Sequence, residues 1–166
     1  MVPLKVQIVV ARFLGDKRIS SLTYMLSVNA NDGYFAGAQY LPSFHPGVRM
    51  GAEVPIPIPA AVGPDGKALP TSGFQYKPIG TNIDCYARSM EGDRFNVNIV
   101  IEDSSIYPDG QTAAGSSAPR DTPTFRSYKF STAVILKDGQ STQLTTATDK
   151  ISGEVVRMDV TLTVAK

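Results

Sequence analysis

From position 155 to 164 the chain reads VVRMDVTLTV, and apolar and polar residues change places at almost every step. Val156, Met158, Val160, Leu162 and Val164 share one parity, while Arg157, Asp159, Thr161 and Thr163 share the other. Successive side chains of an extended strand point to opposite faces, so this run is a strand with one dry face and one wet face. The same period recurs along the chain, and nothing constrains the fold more. Phe95, Val97, Ile99 and Ile101 alternate with Asn96, Asn98 and Glu102, interrupted only by Val100. Less regular runs at 5–13, 19–28, 48–56, 82–88, 124–136 and 142–148 are rich in β-branched and aromatic residues. No segment repeats its apolar residues at helical spacing.

Turn chemistry decides how these strands connect. Gly15-Asp16, Glu91-Gly92-Asp93 and Asp138-Gly139-Gln140 each separate two runs by a few residues suited to tight reversals. Connections this short join antiparallel neighbours. The predicted fold is therefore all-β, an antiparallel β-sandwich, and 166 residues suit a single domain spanning 1–166 around one core. Three stretches, 30–47, 57–73 and 107–123, fall outside the alternation. The second and third are dense in Pro, Gly, Ser and Asp, which predicts long Pro/Gly-rich loops, as mobile insertions or as a binding surface.

Between Phe74 and Ser105 lies a hairpin with Pro78 and Gly80 at its front. A proline lacks an amide hydrogen and belongs at an edge or bulge, and a glycine tolerates a backbone angle or close approach that a side chain forbids. The pair predicts a bend. Beyond it Ile83, Cys85 and Ala87 face one way and Asn82, Asp84, Tyr86 and Arg88 the other, so Cys85 reads as a small buried apolar residue.

This region resembles the C-terminal core module of bacterial secretins, the outer-membrane ring proteins of secretion and pilus systems. The matching positions are Gly51, Val54 and Pro55, then Tyr76, Gly80 and Ile83, then Glu102, Ser104 and Ser105. The order continues with Pro123, Phe125, Thr132 and Val134, and closes at Asp138, Gly139 and Gln140. The resemblance implies a shared β scaffold and a cell-envelope setting. It does not imply a pore. Where that family places a membrane hairpin, this chain has Pro59, Gly63, Pro64, Asp65, Gly66, Lys67 and Pro70, which cannot make the alternating strands that a lipid-facing hairpin needs. After Gln140 a polar stretch, STQLTTATDKISGE, replaces the family's apolar Gly-Gly segment, and the sequence contains none of the large ring-forming amino-terminal domains.

Composition narrows the chemistry. A formal net charge of +1 offers no basic field for nucleic acid. One cysteine and one histidine leave no internal disulfide and no ordinary zinc site. No run suits a membrane helix, and Met1 to Lys5 lacks the pattern of a signal peptide. The expected setting is periplasmic or cell envelope with the leader removed, with the cytoplasm as the alternative. The Asn29 to Gly33 stretch is oxygen-rich without the spacing of a calcium loop, and it reads as a turn. Glu102 and Asp103 point to opposite faces of one strand and make no acid-base pair. Arg120, Arg126 and Lys129, which fall in one region with Phe125, Tyr128 and Phe130, are likewise split between faces by the alternation.

The remaining candidate is the stretch DGYFAGAQYLPSFHPG, 32–47. It gathers Tyr34, Phe35, Tyr40, Phe44 and His45, a composition for a lid over one end of the sandwich or for an aromatic contact surface. Any Ser-His or Cys-His catalyst must use His45, yet no nucleophile elbow accompanies it. No catalytic residue, cofactor or metal is expected. The sequence predicts a non-enzymatic envelope module acting through protein contacts, self-association through a strand edge included. The alternative is a small-molecule or glycan-binding sandwich using loop 32–47.

Overall fold

In the computed structural model, residues 2–30, 46–58, 64, 73–107 and 123–165 are described, without the side chains of 145 and 146. They form eight strands: β1 (Val2–Leu14), β2 (Lys17–Ala30), β3 (Gly47–Pro57), β4 (Phe74–Met90), β5 (Arg94–Ile106), β6 (Phe125–Lys137), β7 (Ser141–Thr148) and β8 (Val155–Val164). The strands make two antiparallel four-stranded sheets, ordered β2-β1-β8-β7 and β3-β4-β5-β6. Stacked face to face, they are the β-sandwich that the alternation predicts.

Parity explains which face turns inward. On β8 Val156, Met158, Val160 and Leu162 are buried, as are Phe95, Val97, Ile99 and Ile101 on β5. Leu4, Val6 and Ile8 of β1 and Leu26 and Val28 of β2 meet them from the first sheet, with Ile83 and Cys85 of β4 from the second, in one cluster. Fully burying a Leu, Ile or Val side chain stabilises by about 1.5–3 kcal/mol, and this layer holds the sheets together.

Each of the three tight turns places its glycine at positive φ: Gly15, Gly92 and Gly139. Two register shifts fall outside what alternation reveals, one between Arg12 and Phe13 on β1 and one between Thr145 and Ala147 on β7. Each lets one strand carry an extra residue, and the sheet twists more sharply there.

β4 departs from the sequence reading. It runs unbroken through Pro78 and Gly80 for 17 residues, from Phe74 to Met90, rather than starting near Asn82. Its ladder with β5 begins only at Gly80, whereas its ladder with β3 continues to Phe74. Pro78 therefore sits where β4 has a single neighbour, and its missing amide hydrogen costs the sheet little. Beyond Gly80 the two strands continue as a ribbon, closed at its far end by the amide of Ile58 donating to the carbonyl of Gly73 at 3.1 Å.

Candidate functional site

The sandwich exposes backbone on two flanks. In each sheet only the outer strands have a free side, so β2, β3, β6 and β7 pair on one side alone among the described residues. β2 lies across from β3 and β4, and β6 lies across from β7 and β8. One flank is thus built from the β2 and β3 edges and the opposite flank from the β6 and β7 edges. With an even number of antiparallel strands, the two edges of each sheet run in opposite directions. A further four-stranded sheet added edge to edge would continue the antiparallel alternation.

The flanks differ in protection. Pro55 and Pro57 punctuate the outer half of β3, the usual way of blunting an edge. β2, β6 and β7 contain no proline. Edges of 8 to 14 residues that carry no proline and, among the described residues, pair on one side alone are templates for strand addition.

The ribbon leaves the sheet at Gly51 and Gly80, which face each other across β3 and β4. Gly80 has φ +138, and a Cβ there would run into the Met50 carbonyl and the Cα of Gly51. The two backbones touch there, which is the close approach that a glycine at position 80 permits. Where the β4–β5 ladder ends lies a cleft of about 550 Å³ lined by Arg49, Glu53, Asn82, Glu102, Tyr128 and Lys129 among others. Two of its charged side chains are paired: Arg49 with Asp84, and Lys129 with Glu102. Near it Met50, Phe74 and Tyr76 are exposed by 60% or more, an apolar strip along the ribbon.

The predicted site residues fare differently. Tyr34, Phe35, Tyr40, Phe44 and His45 lie outside the described residues, and so do positions 31–33 of the Asn29 to Gly33 stretch. Glu102 and Asp103 do point to opposite faces, Glu102 outward to Lys129 and Asp103 inward to Arg12. Arg126 shares the inner face with Tyr128 and Phe130, whose rings stack at 6.4 Å, while Lys77 lies over the ring of Phe125 on the other face. Cys85 is fully buried, and burial pushes its thiol up to about 12. It stays a protonated, unreactive core residue. Among the described residues no group of His, Cys, Asp and Glu is placed to hold a metal ion.

Sequence reasoning missed the ion pairs made by Arg12, Asp103 and Arg126 on the inner face. The signal was present: Arg12 continues the inner parity of Leu4, Val6 and Ile8, and Asp103 that of Ile99 and Ile101. A charge at the parity of a core face has to find a partner on the opposite sheet.

This arrangement of two stacked antiparallel sheets is the fold of secretin domains. The secretin domain β-barrel of InvG from the Salmonella SPI-1 injectisome matches 99% of this chain with a TM-score of 0.50 and 13% identity. PulD in the Klebsiella pneumoniae type II secretion system outer membrane complex matches 99% of it with a TM-score of 0.51 and 12% identity. The chain spans 63% of the InvG chain and 40% of the PulD chain. At these identities the likeness is one of fold. No protein-family model matches the chain, and no curated protein is similar to it in sequence.

Proposed function

We propose that this chain is a non-enzymatic structural module of a bacterial cell envelope, working through protein contacts made by its free strand edges. The observation that carries the reading is the pair of flanks on a secretin-like sandwich that are open among the described residues: two edges of opposite direction on each sheet, most of them without blunting prolines. Added strands are held by main-chain hydrogen bonds, which need no particular side chain, and inward side chains at the edges supply selectivity. A second copy of the chain satisfies the geometry, because its β2 and β3 edges run antiparallel to the β7 and β6 edges it would meet. Among the described residues, Asp103 and Asp149 are engaged in ion pairs and Cys85 is sealed in the core.

The test combines location with association. Cells producing the native protein are fractionated, and the purified chain is followed by analytical ultracentrifugation over a wide concentration range. The expected outcome is recovery with the envelope fraction, with concentration-dependent association whose cross-links join β2 to β7 and β3 to β6. Recovery wholly in the cytosol, or a monomer at every concentration that captures no envelope protein, would overturn the proposal.

A further inference from the structure

The layer between the sheets changes character along the strands. Toward one end the inner positions turn from apolar to polar: β1 passes from Leu4, Val6 and Ile8 to Arg12, and β5 from Val97, Ile99 and Ile101 to Asp103. At the centre of that end Arg12 donates to the carboxylate of Asp103, which also accepts from the Thr81 hydroxyl at 2.6 Å. A larger network lies at the flank. Arg126 of β6 donates through Nε to the Ser105 hydroxyl at 2.7 Å and through Nη1 to Glu154 at 2.9 Å, and the same Nη1 is 3.7 Å from Asp149. The Tyr107 hydroxyl donates to Asp149 at 2.8 Å, and its ring lies beneath the Arg126 guanidinium at 5.3 Å.

Both ends of this network are tied to backbone. Asp149 accepts from the amide of Ile151 at 2.8 Å, and its own amide donates to the carbonyl of Glu154 at 2.7 Å, which shapes the turn between β7 and β8. The amide of Tyr107 donates to the carbonyl of Thr124 at 2.9 Å and joins the end of β5 to the start of β6. The network thus begins on an edge strand of one sheet and ends on the turn that carries the edge strand of the other. The side chains of Arg126, Asp149 and Glu154 keep less than a fifth of their surface exposed.

We propose that Tyr107, Arg126, Asp149 and Glu154 form a clasp that fixes the spacing of β6 and β7, so that both free edges of this flank are presented as one rigid pair. A mostly buried guanidinium holds its planar fork only while its carboxylates stay in place, and removing either side strands an uncompensated charge. The opposite flank is built otherwise. Between β2 and β3 lies an apolar cleft of about 310 Å³ with Leu22, Met50, Ala52 and Ile79 in its lining, and among the described residues no ion pair crosses it. The consequence for a partner, that it engages both clasped edges at once, rests on the function proposed above; the clasp itself does not.

Hydrogen exchange on the full chain tests it, comparing the parent with Arg126→Met and Tyr107→Phe. Arg126→Met is expected to speed exchange about tenfold or more in 125–128 and 149–154 together, while 97–101 and 158–162 keep their protection. Tyr107→Phe, which removes one hydrogen bond and no charge, moves the same two segments by less and carries the comparison should Arg126→Met fail to fold. Faster exchange in only one of the two segments, or in neither, overturns the clasp. Ultracentrifugation then separates the two proposals. Association of the parent that weakens in Arg126→Met supports the consequence for a partner, and equal association of both overturns it. A parent that never associates counts against the proposed function and leaves the exchange result to decide the clasp.

Discussion

At Gly80 a missing side chain decides the path of a strand. The residue combines φ +138 with direct contact to the backbone of β3, so a methyl group meets both conformational strain and a collision with the Met50 carbonyl. Gly80→Ala is expected to cost about 2–4 kcal/mol in urea unfolding. Gly139, at φ +72 with open space around it, should lose only about 1 kcal/mol on the same change. Equal losses at the two positions would mean that the close approach carries no weight. A glycine two residues after a proline is a local signal, and the close approach it allows was legible at Gly80; its collision partner, 30 residues upstream, was not. Cys85 illustrates the opposite case, since parity alone places it among Ile83 and Ala87 in the core. With its thiol raised to about 12 by burial, it should resist alkylation at about pH 8 in the folded chain and react once the chain is denatured.

At the scale of elements, the turn between β7 and β8 shows how a loop is held by charge. Burial alone would push the Asp149 carboxyl up, but hydrogen bonds from the amides of Ile151 and Ser152 and from the Tyr107 hydroxyl outweigh it and hold the group below the usual carboxylate range. A carboxyl depressed in the folded state stabilises it above the ordinary value of about 3.9, and that contribution is lost as pH falls through the depressed value. Tyr107 has the reverse sign. Burial first, and then the hydrogen bond to Asp149, raise its phenol above the usual value of about 10, so its contribution is present below that value and fades as pH rises through the raised one. The turn is therefore expected to stay closed across neutral and mildly acidic pH and to loosen only beyond those limits. Amide chemical shifts of 149–154 recorded against pH check this, and a midpoint near neutrality would refute it. β4 makes a related point, because Pro78 looked like the front of a strand and proved to lie within one. The physical reason is that β5 has not yet joined at Pro78, and no local property of β4 records where its neighbour starts.

For the whole molecule, the decisive quantity is which face of each strand is dry. Leu162→Ala, on the inner face of β8, is expected to cost about 2–5 kcal/mol, whereas Thr163→Ala one residue on should stay within about 0.5 kcal/mol; thermal or urea unfolding measures both. Similar losses at the two positions would contradict the stacked sheets. Alternation, turn residues and the parity of each strand follow from the geometry of an extended backbone, in which neighbouring side chains must oppose one another. They were therefore readable along the chain without knowledge of any partner. The sheet orders β2-β1-β8-β7 and β3-β4-β5-β6, the pairing of β2 with β3 and of β6 with β7 on opposite flanks, and the joining of Arg12 to Asp103 across 91 residues were decided only in three dimensions. Those features arise from side chains meeting across the gap between sheets, where burial forces each charge to find an opposite one, and no local pattern says which distant residue that will be.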